Sequence, residues 1–141
     1  MSHNRNEITL LLIEDDDIDA MSIRRALGKA NIGNNLIRAC DGLEALEMLR
    51  SDKVPSPYII LLDLQMPRLN GLEFLKEIRK DPKLDKSVVF VLTTSKDDED
   101  IAASYKNYIA GYFVKDQVGE EFLDIVKMLK GYWKIVLFPK D

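Results

Sequence analysis

A single cysteine, Cys40, leaves this 141-residue chain without an internal disulfide, so a reducing compartment, the cytoplasm, is the expectation. No apolar run reaches the roughly 18 residues that a membrane helix needs, and the opening "MSHNRNE" is polar rather than signal-like. An excess of basic charge is missing too: 24 Asp and Glu against 20 Lys and Arg give a net charge of −4. That balance argues against nucleic acid, whose phosphates call for a basic face. Low-complexity tracts, linkers and close repeats are absent as well, and the length suits one domain. What is present is ordinary for a globular protein: 46% apolar and 31% charged residues, enough to bury a core and stay soluble.

Apolar runs alternate with amphipathic stretches. "ITLLLIE" (8–14), "NLIRAC" (35–40), "YIILLD" (58–63), "VVFVLT" (88–93) and "AGYFVK" (110–115) read as strands. Between them lie helix-like stretches. In 18–30, Ile18, Met21, Ile23, Ala26 and Leu27 recur at approximately helical spacing, and in 42–50 Leu43, Leu46 and Leu49 share a face. Residues 72–80 carry Leu72, Leu75 and Ile78, 97–108 form a fourth helix, and a fifth is expected from about Gly119 to Tyr132. Five strands alternating with five helices imply right-handed crossovers and a parallel sheet covered on both faces, an α/β doubly wound architecture. Ligands of such sheets bind beyond the carboxyl ends of the strands, so the polar residues at those ends bear the chemistry.

Those ends are unusual. The first strand runs into Glu14-Asp15-Asp16-Asp17, the third stops at Asp63, the fourth at Thr93-Thr94-Ser95 and the fifth at Lys115. Asp16 or Asp17 can simply cap the next helix, the Thr-Thr-Ser turn can be ordinary, and a lone lysine can be solvated. A strand as apolar as Ile59-Ile60-Leu61-Leu62, however, gains nothing structurally by ending on a bare carboxylate. Carboxylates meeting at one edge repel one another unless a cation lies among them. Hard oxygen ligands with room for water suit Mg²⁺. A carboxylate beside Mg²⁺ can accept a phosphoryl group as an aspartyl phosphate, with Lys115 and Thr93 available to hold the phosphoryl oxygens.

At this point "LLIEDD", "LLDLQMPRLNGLEFL", "VLTTS" and "GYFVK" together resemble the receiver domains of two-component response regulators, over residues from about 8 to 130. The resemblance implies a flavodoxin-like sheet of strand order 2-1-3-4-5. It implies Asp63 as phosphoacceptor, Glu14 and Asp15 as the pair that holds Mg²⁺, and the backbone carbonyl of Gln65 as a further metal ligand. It also implies Thr93 as the switch hydroxyl, Lys115 as the phosphate-binding lysine and Tyr112 as the aromatic that changes rotamer on activation. Pro67 and Gly71 match the turn after the acceptor. The sequence departs from the pattern at Asp116, where most members place a proline after the lysine, in a cis peptide. A cis bond before a non-proline residue costs about 3 kcal/mol, so a trans or rearranged loop is expected.

The receiver so bounded, 8–130, is followed by an aromatic and aliphatic extension, 131–141, with Tyr132, Trp133, Ile135, Val136, Leu137 and Phe138 nearby or within it. This extension is expected either to fold back or to form a partner surface. Its "GYWKIVLFP" is loosely similar to the endings of single-domain response regulators that pair with phytochromes, some of which dimerise through this end. The one histidine, His3, lies in a polar terminus, so the phosphodonor is expected to be a separate histidine kinase, phytochrome-like on this resemblance. The domain would signal through protein contacts rather than act as an enzyme. Its two-state element would be Thr93, Tyr112 and the helix between them, with Tyr105 and Tyr108 on a signalling face. A flavodoxin-like electron carrier is disfavoured by "EDDDID" where a flavin-phosphate loop would lie, and an aspartyl-phosphate hydrolase by Gln65 where a second carboxylate is needed. A receiver-like adaptor that works without phosphate is the alternative.

Overall fold

The computed structural model describes residues 8–29 and 35–115. The order of elements is β1 (Thr9–Ile13), α1 (Asp17–Lys29), β2 (Leu36–Ala39), α2 (Gly42–Arg50), β3 (Tyr58–Leu62), α3 (Gly71–Lys80), β4 (Val88–Thr93), α4 (Asp98–Lys106) and β5 (Gly111–Val114). The five strands form one sheet in the order β2-β1-β3-β4-β5, and every neighbouring pair is parallel. This is the doubly wound arrangement that the alternation of strands and helices foretells. The described residues hold four of the five expected helices. The fifth, at 119–132, lies outside them, as do His3, Asp116 and the extension 131–141.

The three central strands, β1, β3 and β4, are buried on both faces while the edge strands β2 and β5 are half-buried, and side-chain alternation sorts the sheet's residues between two cores. Leu11, Ile13, Ile60, Leu62, Val89 and Val91 face one core with Phe74, Leu75 and Ile78 of α3 and Leu46 and Leu49 of α2. Leu10, Leu12, Ile59, Leu61, Phe90 and Leu92 face the other, against Ala20, Ile23 and Leu27 of α1. The stripe of α1 therefore differs from the one expected. Ile18 and Met21 are 75% and 58% exposed, and Leu43 of α2 is 47% exposed. Spacing of i, i+3 and i+7 on Ala20, Ile23 and Leu27 is the better helical fit.

Local chemistry starts the helices. Asp41 accepts a hydrogen bond from the Glu44 N–H at the start of α2, Asn70 and Glu73 make a reciprocal capping box on α3, and Asp97 accepts from the Glu99 N–H before α4. Each such cap is worth about 1 kcal/mol. Asp41 also pairs with Arg68 at 2.7 Å, and the Gly42 N–H donates to the Leu69 carbonyl at 3.2 Å. The loop that follows β3 is thereby tied to the start of α2.

Candidate functional site

Register brings the first carboxylates side by side. Ile13 lies level with Leu62, so the next residues, Glu14 and Asp63, leave adjacent strands about 4.8 Å apart. Asp63 donates its N–H to the Ile13 carbonyl and Glu14 donates its own to the Ala39 carbonyl, both at 3.0 Å. The sheet ladder thus fixes both backbones one residue past the assigned strand ends. Chain direction reverses about β1: the chain crosses from β1 to β2 on one side and returns to β3 on the other. This switch point is where open sheets leave a crevice. Here Glu14, Asp15 and Asp63 each place a carboxylate oxygen within 4.8 Å of the others. Glu14 and Asp63 are buried, 1% and 6% exposed, while Asp15 faces solvent. All three are hard oxygen donors on rigid backbone, and the exposed third leaves room for water, so the set fits a divalent cation of the Mg²⁺ type.

Lys115 follows β5, two strand spacings or about 10 Å from β3, and its long side chain spans that gap. Its ammonium donates to Glu14 Oε1, to Asp19 Oδ2 at 2.9 Å and to Asp63 Oδ2 at 3.3 Å. Burial works against the charged ammonium, but the bonds to Glu14 and Asp19 and the charge of Asp63 outweigh it and raise its pKa. Burial pushes Glu14 up from 4.5 to about 7, the Lys115 bond opposes this, and the nearby Asp63 charge adds to it.

The rest of the rim is polar. Asp63 Oδ1 accepts from the Gln65 N–H at 3.1 Å, which aims the carboxylate. Thr93 is fully buried and sits one residue beyond the level of Asp63 on the neighbouring strand, since Leu62 pairs with Val91. Its hydroxyl oxygen accepts from the Ser95 N–H at 3.5 Å. The Thr94 hydroxyl donates to Gln65 Oε1 at 2.8 Å, bridging the β3 and β4 loops. Tyr112 is half-buried and donates its hydroxyl to the Ser95 carbonyl at 2.9 Å. Glu14, Asp15, Asp63 and Lys115 thus meet in one cluster, Thr93 and Gln65 lie on its rim, and Tyr112 reaches the loop that follows Thr93.

The acidic run after β1 divides into separate tasks. Asp16 Oδ1 accepts from the N–H groups of Ile18 at 2.8 Å and Asp19 at 3.1 Å, capping α1. Asp17 pairs with Arg38 at 2.8 Å, and Arg38 Nε also donates to the Glu14 carbonyl at 2.9 Å. Sequence reasoning passed over Asp19 and Arg38. Both contacts join residues far apart in the chain, so no local spacing pointed to them.

Residues 10–127 match the family model for the response regulator receiver domain, and the chain belongs to that family. It is similar to response regulator Rcp1 of Synechocystis sp., 34% identical over 128 residues that cover 88% of this chain and 87% of that protein. Two solved structures are similar throughout. The Mn²⁺-bound form of Rcp1 has a TM-score of 0.82 at 33% identity, covering 94% of this chain and 99% of its own. The phosphorylated cyanobacterial phytochrome response regulator RcpA has a TM-score of 0.83 at 32% identity, with the same coverage. The chain is thus a signalling domain of the two-component type, related to phytochrome-associated regulators. Among the described residues no helix is long and apolar enough to cross a membrane.

Proposed function

We propose that this receiver accepts a phosphoryl group from a histidine kinase onto Asp63 and signals through contacts with other proteins. The observation that carries this is the convergence of Glu14, Asp15 and Asp63 within 4.8 Å beside the Lys115 ammonium. An Asp63 oxygen attacks the phosphorus of a phosphohistidine. The P–N bond breaks, its electron pair stays on the imidazole nitrogen, and that nitrogen takes a proton. Glu14, Asp15, Asp63 and the Gln65 carbonyl would hold Mg²⁺, which when bound supplies positive charge for the phosphoryl oxygens. Lys115 orients one phosphoryl oxygen and Thr93 another, while Gln65 and Thr94 border the path of water to the acyl phosphate. The relatives support a phytochrome-like kinase as donor, because RcpA is a phytochrome response regulator. A cytoplasmic location suits such a relay, and dimerisation through 131–141 would supply one protein contact.

The added charge, about −1.5 to −2, acts on the loop that joins Thr93 to α4. Tyr105 and Tyr108, 50% and 79% exposed, lie on the face that this loop can shift. Intact-mass spectrometry after incubation with Mg²⁺ and acetyl phosphate tests the reading. One phosphoryl adduct is expected on the wild type, lost in Asp63→Asn and without Mg²⁺. No adduct, with no binding of a beryllium-fluoride mimic, would make the domain a phosphate-independent adaptor.

A further inference from the structure

We infer that Asp19 is a positioning residue for phosphoryl transfer: it holds the Lys115 ammonium beside Asp63. The inference rests on the proposed role of Asp63. An ammonium has three hydrogens, and Lys115 meets three carboxylates: Glu14, Asp19 at 2.9 Å and Asp63 at 3.3 Å. Glu14 and Asp63 belong to the set that fits a divalent cation. Once their oxygens turn to a cation, or Asp63 becomes an acyl phosphate, Asp19 alone of the three carboxylates remains uncommitted. It then keeps the lysine extended across β4, a span that leaves a flexible side chain many other rotamers.

Asp19 is itself well placed to do this. It lies in the first turn of α1, and its N–H is fixed by the Asp16 cap at 3.1 Å. Its side chain is 41% exposed while that of Lys115 is 13% exposed, so it contributes little to the core and much to the aim of the ammonium.

The test compares Asp19→Ala, Asp19→Asn and Asp19→Glu. Its first readout is the ¹⁵N–¹H signal of the Lys115 ammonium, assigned by its loss in Lys115→Arg and followed without and with Mg²⁺. The second is the rate of phosphorylation by acetyl phosphate. In Asp19→Ala the ammonium signal should broaden through faster exchange with water, most with Mg²⁺ present. The phosphorylation rate should fall about tenfold, the lower range for loss of an orienting partner. Lys115→Ala, which removes the donor itself, should cost about a hundredfold or more. Asp19→Asn, which keeps an acceptor without its charge, should fall between, and Asp19→Glu should restore most of the rate. An unchanged ammonium signal in Asp19→Ala, or phosphorylation as fast as or faster than the wild type's, overturns the inference. If the wild type takes no phosphate, the reading of Asp63 fails by itself. The ammonium signal then still decides whether Asp19 holds the lysine.

Discussion

At residue scale the acceptor is placed as much by a missing side chain as by its own. Gly71 opens α3 directly behind Asp63, and its N–H donates to the Leu64 carbonyl at 3.0 Å. A Cβ there would come within 2.5 Å of Leu64 Cα and 2.6 Å of the Asp63 carbonyl oxygen. Both are backbone atoms, so neither can swing aside. Gly71→Ala should therefore push the loop off β3 and lower stability by about 1–3 kcal/mol, the usual cost of overpacking. Gly28 is the control. It lies in α1 with nothing within 4 Å of a built Cβ, so Gly28→Ala should raise stability by about 0.5–1 kcal/mol through reduced backbone entropy. Urea unfolding measures both, and a neutral Gly71→Ala would show that the β3–α3 turn is not the rigid support described.

At the scale of elements, α4 is the least embedded helix among the described residues. Ser104 is its one buried residue, which marks it as the piece with most freedom to move. Its far end is clamped by Arg79, whose guanidinium donates to the Asn107 carbonyl at 2.7 Å and the Tyr108 carbonyl at 2.9 Å. Its near end carries polar bonds: Ser95 Oγ donates to Asp100 Oδ2 at 2.6 Å, and Tyr112 donates to the Ser95 carbonyl. The loop that follows Thr93 is thus bonded both to the first turn of α4 and to β5. Tyr112→Phe should cost about 0.5–1.5 kcal/mol, the net worth of one hydrogen bond, and should uncouple α4 from the β5 edge. The pH dependence isolates this hydroxyl. Burial, with Asp100, Asp97 and Asp63 adding to it, raises the Tyr112 pKa above its ordinary 10.0. The folded state then holds the phenolic proton more tightly than the unfolded chain. Wild-type stability should fall more steeply than that of Tyr112→Phe as the pH climbs above 10, and the gap should stay constant below it. Equal slopes in denaturant titrations across that range would show that the folded state does not hold the Tyr112 proton more tightly.

At the scale of the whole molecule, the sheet was legible because each strand is a short apolar run and each run ends within a residue or two of the expected place. The cluster was legible because a parallel sheet delivers all its strand ends to one edge, so Glu14, Asp15, Asp63 and Lys115 had to gather there. What stayed hidden was set by three-dimensional pairing. Asp19 meets a lysine 96 positions away, and Arg38 meets Asp17 from 21, distances that no local spacing encodes. The apolar face of α1 was misjudged because large residues at Ile18 and Met21 outweighed small Ala20. The same geometry sets up an electrostatic test. Four carboxylates, Glu14, Asp15, Asp19 and Asp63, gather at this edge, and the Lys115 ammonium meets three of them in a chain already at −4, so the folded edge concentrates negative charge that the unfolded chain spreads apart. A divalent cation that binds only the folded form should stabilise it, by about 2.7 kcal/mol at a hundred times its dissociation constant. Mg²⁺ should therefore raise the melting temperature of the wild type, and EDTA should reverse the rise. Asp15→Asn is the informative variant, because Asp15 is exposed and its loss removes repulsion rather than packing. Without Mg²⁺ it should melt no lower than the wild type, and with Mg²⁺ its gain should largely disappear. A gain as large in Asp15→Asn as in the wild type would place the cation somewhere other than at the crevice between β1 and β3.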